Sequence, residues 1–396
     1  MHGVFRGRLR RLLQFRPLCT LQGARRRLED RLKKVGTEKV DLEDEVLARI
    51  ERQRKLRPRF RDERVTMAHG AGGKATHTLV EGLFARAFAN EALAELSDAA
   101  QIEIAGARLA ITTDGFVVKP LQFPGGSIGE LAVNGTVNDL AVSGAEPFAI
   151  AAAFIVEEGL DADVLRAETE AMADAARAAG VPVVTGDTKV VERNKADGMY
   201  ITTTGLGLRR SEVDLSGQSI RPGDVVLCSG FIGDHGMAIM LARGELELDA
   251  DITSDTAPVW EQAAALMEAA GGELRVMRDP TRGGVATVLN ELALDADLGV
   301  ILDEASVPVH PAVQGACEIL GIDPMYVANE GKLLAVVGPE RAAAALAALQ
   351  AAPGGEHACV VGWVADKPQG MVLVRTGFGG TRIMDMLIGD PLPRIC

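Results

Sequence analysis

Two α+β domains followed by a glycine-tethered tail are what this sequence predicts, and three observations predict them. From Val65 onward, short apolar runs punctuated by glycine alternate with alanine-rich stretches of helical spacing. The turn signal Arg221-Pro222-Gly223-Asp224 stands directly before a new apolar run and divides the chain near residue 215. Beyond Gly377, further glycines at 379 and 380 and prolines at 391 and 393 lead to a cysteine at position 396.

The elements follow in order. Residues 1–40 are Arg-rich with no acid before Glu29, and read as an organelle transit peptide, a basic nucleic-acid arm or a dispensable leader. Residues 41–56 place Leu42, Val46, Leu47 and Ile50 at helical spacing, with acids first and bases later, as a helix dipole prefers. Strands are expected at Leu109–Thr113, Met199–Thr204, Val225–Leu227 and Leu333–Val337. Helices are expected over Ile128–Ser143, Asp161–Ala179, Ala257–Ala270, Gly284–Ala293 and Glu340–Leu349. The resulting division is 1–56 leader and short helix, 57–212 first domain, 213–376 second domain and 377–396 tail.

Composition narrows the function classes. With 396 residues, 47% hydrophobic and 24% charged, the chain suits a folded two-domain protein. No uninterrupted apolar run approaches the roughly 18 to 20 residues of a membrane span. The five cysteines form no CxxC pair, so neither a disulfide framework nor a zinc site is indicated and a cytoplasmic location fits. Residues 1–64 hold 20 Lys and Arg against 10 Asp and Glu, whereas the remainder holds 22 against 45. So acidic a body does not bind nucleic acid through its general surface, and a small anion needs backbone amides, lysine or a metal.

Several motifs carry chemistry. His69-Gly70-Ala71-Gly72-Gly73-Lys74 sets permissive backbones beside a cation, which suits a phosphate-wrapping loop or a plain connector; Ala68 and Ala75 exclude a Walker A loop. Thr112-Thr113-Asp114-Gly115 ends an apolar strand with a carboxylate. Asn134 and Asn138 share a helix face with Asp139 next to it, a set that suits Mg²⁺ or helix caps and turns. Gly186-Asp187-Thr188-Lys189 is expected to emerge at the end of the strand Val181–Val184. Asp279-Pro280-Thr281-Arg282-Gly283-Gly284 offers a helix start beside a guanidinium, and Asn329-Glu330-Gly331-Lys332 sets a carboxylate in a turn. Acids at strand ends and glycine loops spread over two domains ask for a magnesium nucleotide. A lone cysteine on a tail is usually inert, but one on a hinged arm can also be swung into such a site as a tethered substrate.

In this order the segments resemble the superfamily of aminoimidazole ribonucleotide synthetase, selenophosphate synthetase and thiamine phosphate kinase. Within it, HGAGGK, TTDG, GDTKVV, DPTRGG, NEGK and the final Pro-Arg-Ile-Cys are similar to the HypE family, carbamoyl dehydratases of nickel–iron hydrogenase maturation. The resemblance covers about Arg57 to Cys396.

The resemblance implies a PurM-like architecture with a flexible C-terminal tail, in which strands of the N-terminal domain pair across a homodimer. It implies ATP, with Mg²⁺, held near that interface, and dehydration of a carbamoyl group on Cys396 to a thiocyanate that supplies an iron-bound cyanide. Carbamoyl would come from HypF, and cyanide would pass to HypC and HypD. His69, Gly72, Gly73, Lys74, Asp114 and Arg282 are then nucleotide candidates, and Asp114, Asn138, Asp139 and Asp187 metal candidates. Lys189 and Glu330 are the base candidates beside Cys396. Lys189 serves as a base only where burial or positive neighbours lower its pKa, and is otherwise an electrostatic stabiliser. A selenophosphate synthetase usually carries its reactive residue near the glycine loop, yet no cysteine occurs here between residues 20 and 227. A non-catalytic nucleotide-binding adaptor would keep its function when Cys396 becomes serine.

Overall fold

The computed structural model describes residues 59–396 apart from 91, 94–95, 210–213, 245–249, 388 and 390–393. The basic leader, the helix expected over 41–56 and the tail prolines lie outside the described residues.

The first domain is built on β1 (Ala100–Ile104), β2 (Ala107–Phe116), β5 (Ala145–Glu157), β6 (Val183–Val191) and β7 (Met199–Arg209), in sheet order β1-β2-β7-β5-β6. β6 runs parallel to β5 and the other pairings are antiparallel. A small hairpin of β3 (Gln122–Phe123) and β4 (Gly126–Ser127) leads into the helix α2 (Ile128–Val142), after a short N-terminal helix α1 (Lys74–Leu79). α2 is apolar nearly all round and accordingly buried, whereas α3 (Ala162–Ala178), capped by Asp161 on the Asp163 amide, buries one face only. Both cover the same side of the sheet. Its other side carries half-exposed or exposed Thr113, Phe148, Thr202 and Leu208, and β6 is exposed along almost its whole length.

The second domain holds β8 (Val225–Cys228), β9 (Leu274–Arg278), β10 (Gly299–Asp303), β11 (Leu334–Val337), β12 (Cys359–Ala365), β13 (Met371–Arg375) and β14 (Thr381–Met384), in order β14-β13-β10-β12-β8-β11-β9. Side chains alternate across this sheet. Val225 and Leu227 face α5 (Trp260–Ala270) and α8 (Pro339–Ala351), whereas Val226 and Cys228 face α6 (Gly284–Ala296). Helices α4 (Asp234–Ala242) and α7 (Pro311–Leu320) pack toward the first domain. The cores are shared between domains: Ala141 and Val142 of α2 lie among Leu215, Leu266 and Leu346, and Phe116, Ile128 and Leu131 lie among Met237, Ile239 and Val327.

Three expectations need correction. Gly186-Asp187-Thr188-Lys189 lies within β6 rather than after its end, because pairing with β5 carries the strand through Gly186; a side chain there would run into the Ala152 carbonyl of the neighbouring strand. The tail hinge expected at Gly377, Gly379 and Gly380 is instead the β13–β14 turn, closed by Thr376 N–H to Gly380 O and Gly379 N–H to Thr376 O, both 2.9 Å. The segment that leaves the sheet therefore begins after Met384. α5 also starts three residues late, at Trp260, since Pro258 precedes it and the Val259 amide is taken by Asn138.

Candidate active site

Period-2 alternation on β2 turns Thr112, Asp114 and Phe116 toward α2, and Gly135 of α2 lies opposite. A Cβ on Gly135 would press the Phe116 ring at 3.0 Å and touch the Asp114 carboxylate at an ordinary 3.6 Å, so glycine here leaves room for the ring beside the acid. One turn further, Asp139 sits 2.7 Å from the Thr112 hydroxyl, which also lies 2.9 Å from the Asp98 carbonyl. One hydroxyl proton satisfies both contacts only when Asp139 keeps its own proton.

From the second domain come Asp279, Thr281 and Arg282 in the loop before α6, and Glu330 in the loop before β11. With Asp98, Thr112, Thr113, Asp114, Gly135, Asp139 and Cys396 they line a polar cavity of about 230 Å³. A second cleft of about 340 Å³, reaching Gly72, Thr76 and His77, shares Asp98, Asp279, Thr281 and Arg282 with it.

So many carboxylates in one enclosure oppose one another's ionisation. Burial, then Asp279, Asp114 and Asp98, push the Asp139 carboxyl well above the usual range. Burial, then Asp114, Asp279 and Asp255, do the same to Glu330 against the pull of Arg282. Asp279 rises to about 8, through burial and then Asp98. The negative charge at Cys396 is the largest influence holding Arg282 in its charged form. Glu330 Oε1 is buried without a hydrogen-bond partner. Hard oxygens crowded enough to oppose one another's ionisation fit a divalent cation, whose charge would relieve that repulsion. Among the described residues no three acidic, histidine or cysteine side chains converge closely enough to chelate one alone, so a cation held here would need further oxygens.

Cys396 reaches the cavity because the tail is docked. Lys74 N–H donates to Leu387 O at 3.0 Å, and the Lys74 ammonium pairs with Asp385 at 2.6 Å. Gly73 lies so close to the Leu387 carbonyl that any side chain would collide with it. Gly72, at φ +77°, would drive a Cβ to 2.6 Å from the Arg282 carbonyl. Further on, Val117 N–H donates to Cys396 O at 3.0 Å and Lys119 N–H to Arg394 O at 3.4 Å, so the end of the chain lies antiparallel beside the exit of β2. Ile395 is only 5% exposed and belongs to the apolar cluster shared by both domains.

Of the residues named from sequence, Asp114, Asp139, Arg282, Glu330 and Cys396 meet at the cavity, and Gly72 lines the adjoining cleft. Gly73 and Lys74 hold the tail. His69 is committed to its own loop, its ring engaging Thr66 and lying 2.9 Å from Asp62. Asn138 turns away from the cavity, where its amide donates to Ala257 O and Glu330 O and accepts from Val259 N–H, so it clamps the segment before α5 and the Glu330 loop. Asn134, on the same face, bonds Thr256. Asp187 and Lys189 pair with each other on the exposed edge strand β6, away from the cavity of their own chain. Sequence reading missed Asp98 and Asp279. Asp279 opens the Asp279-Pro280-Thr281-Arg282 string and was there to be found; Asp98 has no local signal.

Comparison with known proteins places this geometry. The chain matches the AIR synthase related protein N-terminal domain over residues 96–209 and the C-terminal domain over 221–375. The carbamoyl dehydratase HypE of Rhodobacter capsulatus is 52% identical over 340 residues, 85% of this chain and 99% of that protein. HypE of Escherichia coli is 44% identical over 337 residues, 84% and 99% of the two chains. Among solved structures, the hydrogenase maturation protein HypE in complex with ATP aligns with TM-score 0.70 at 45% identity, covering 84% of this chain and all of that one. A HypE–HypF complex gives 0.74 at 45%, covering 78% and 99%. With both domain models matched in order and such identity over nearly the whole length of these relatives, the chain belongs to the HypE carbamoyl dehydratase family of AIR synthase related proteins.

Proposed function

We propose that this chain uses ATP to dehydrate a carbamoyl group carried on Cys396, giving a thiocyanate from which the iron of a nickel–iron hydrogenase receives cyanide. The carrying observation is that Cys396 lines one cavity with Glu330, Arg282 and the Asp98, Asp114, Asp139 and Asp279 carboxylates. An amide oxygen is a poor leaving group. Transfer of the γ-phosphoryl of ATP to the carbamoyl oxygen, with loss of one N–H proton, gives a phosphorylated imidate; loss of the second proton with departure of phosphate leaves the nitrile. ATP becomes ADP, and the oxygen leaves in phosphate.

Glu330 is the proton acceptor in this scheme. Its neighbours oppose its ionisation and Arg282 favours it, so the carboxylate once formed is more basic than a solvated one. Arg282 orients phosphate and tail and stays charged throughout. Asp114 and Asp139, with Asp98 and Asp279, would hold Mg²⁺, which spreads the charge of the transferring phosphoryl when bound. The cavity is small for a nucleotide, so the adjoining cleft past Gly72 takes part of it. A homodimer accounts for the open sheet face and for β6, where Val184 and Val190 are 60% and 69% exposed. In that assembly Asp187 and Lys189 serve across the interface, Lys189 as a charge stabiliser. HypF donates the carbamoyl group, HypC and HypD receive the cyanide, and the work is done in the cytoplasm.

The test is intact-mass analysis after incubation with ATP, Mg²⁺, carbamoyl phosphate and the donor enzyme. The expected product shows the carbamoyl mass gained and then one water lost, both at Cys396. A carbamoylated chain that never loses water overturns the reading.

A further inference from the structure

Of the last three residues only Cys396 lines the cavity, and Arg394 and Ile395 are held by contacts outside it. Arg394 donates through Nε and Nη2 to the Val117 carbonyl at 3.2 and 3.1 Å, pairs through Nη1 with Asp197, and lies 5.8 Å from the Tyr200 ring centre. Asp197, in the turn between β6 and β7, is also paired with Lys119 at 2.9 Å. The Arg394 carbonyl accepts from Arg243 Nη2 at 2.8 Å. Its backbone is left-handed, φ +56°, a shape a non-glycine residue holds only when its surroundings impose it.

His235 supplies the next contact. It is fully buried on α4, and its Nε2 lies 2.6 Å from the Ile395 carbonyl, an atom that can only accept, so Nε2 carries the hydrogen. Burial lowers the imidazole pKa and keeps the ring neutral, and Nδ1, 2.8 Å from the Ser254 hydroxyl, accepts from it. A structural histidine satisfied within its own domain would have no need of a tail carbonyl.

We propose, on the reading that Cys396 carries the reacting group, that Asp197, His235 and Arg243 form a receptor for Arg394–Ile395–Cys396 that sets the register in which the thiol enters the cavity. They are positioning residues, drawn from both domains, and they govern how the tail divides its time between the cavity and a partner protein. Opening the receptor has opposite effects on two rates: the Cys396 thiol becomes more available outside, and dehydration inside becomes slower. Damage to the fold would instead expose Cys228, Cys317 and Cys359 as well, all of which are buried.

The experiment uses the full chain and reads alkylation by iodoacetamide at each cysteine by peptide mass, together with water loss from the carbamoylated protein in a single turnover with ATP. Asp197→Asn weakens a partly exposed ion pair and should speed alkylation of Cys396 about threefold. His235→Leu leaves the buried Ile395 carbonyl unpaired and should speed it about tenfold, whereas His235→Gln, whose amide nitrogen can stand near the Nε2 position, should return most of the protection. Each opened variant should lose water more slowly. Unchanged alkylation of Cys396 in Asp197→Asn and His235→Leu, or a Gln variant as open as the Leu variant, overturns the proposal; if His235→Leu does not fold, Asp197→Asn decides. Alkylation needs neither ATP nor donor, so a wild-type chain that never loses water while these variants do open the tail would overturn the dehydratase reading and support the receptor.

Discussion

Replacing Ile395 with alanine tests whether docking of the tail is driven by burial of its penultimate residue. Ile395 is 5% exposed within the shared apolar cluster, so docking buries almost all of the side chain. The substitution removes three carbon groups at about 0.8 kcal/mol each, about 2.4 kcal/mol of docking energy, or about a fiftyfold change in the docking equilibrium. A wild-type tail docked about ten to one would become undocked about five to one. The docked fraction then falls about fivefold and the free fraction rises about ninefold, and these are the changes expected in single-turnover water loss and in Cys396 alkylation. Saturating ATP does not rescue the rate unless nucleotide itself favours the docked tail. If Ile395→Ala alkylates and dehydrates at wild-type rates, burial of this residue does not hold the thiol at the cavity.

Three further outcomes are expected. Appending one alanine after Cys396 shifts the thiol by about 3.3 Å or places the extra residue against the Val117 amide, and should slow water loss about a hundredfold by intact mass while carbamoylation persists. Glu330→Gln should lower the single-turnover rate about a hundredfold or more, with ATP binding by calorimetry retained, since the amide takes no proton. Asp279 has a folded-state pKa above that of an unfolded carboxylate, so the folded protein holds the extra proton between the ordinary carboxylate range and about 8, and stability falls as pH rises through that window. Asp279→Asn should therefore melt higher than wild type at about pH 8.5 in EDTA, with the gap closing toward about pH 5; the same difference at both values would contradict the assignment.

What could be read in advance was whatever has a local signature. The long helix at Ile128–Val142 and the strands at β2, β7, β8 and β11 follow from apolar spacing over a single segment, and Arg282 and Glu330 were legible because each lies in a glycine-marked turn; Asp114 was legible beside Gly115, although β2 runs on to Phe116 and the acid lies within the strand, not at its end. Asn138 and Asp139 show where this stops. Adjacent polar residues on a buried helix diverge by about 100°, so one enters the cavity and the other holds backbone of the second domain, and only the packing of α2 decides which. Asp187 reads as a strand-end acid until β5 is present to continue β6 past Gly186. Asp98 and the seat of the tail are defined by partners far away in sequence, such as Cys396 against Val117, and no window of sequence contains them.

Because Ala141 and Val142 are packed among residues of the second domain, and Phe116 and Leu131 share a cluster with Met237 and Val327, neither half keeps its oil covered without the other. Calorimetry should register one melting event, not two, and a chain severed near residue 215 should yield sticky fragments. Hinge bending between the halves is thereby closed off as a way of working. On the proposed chemistry, the two halves then meet Cys396 as one fixed body.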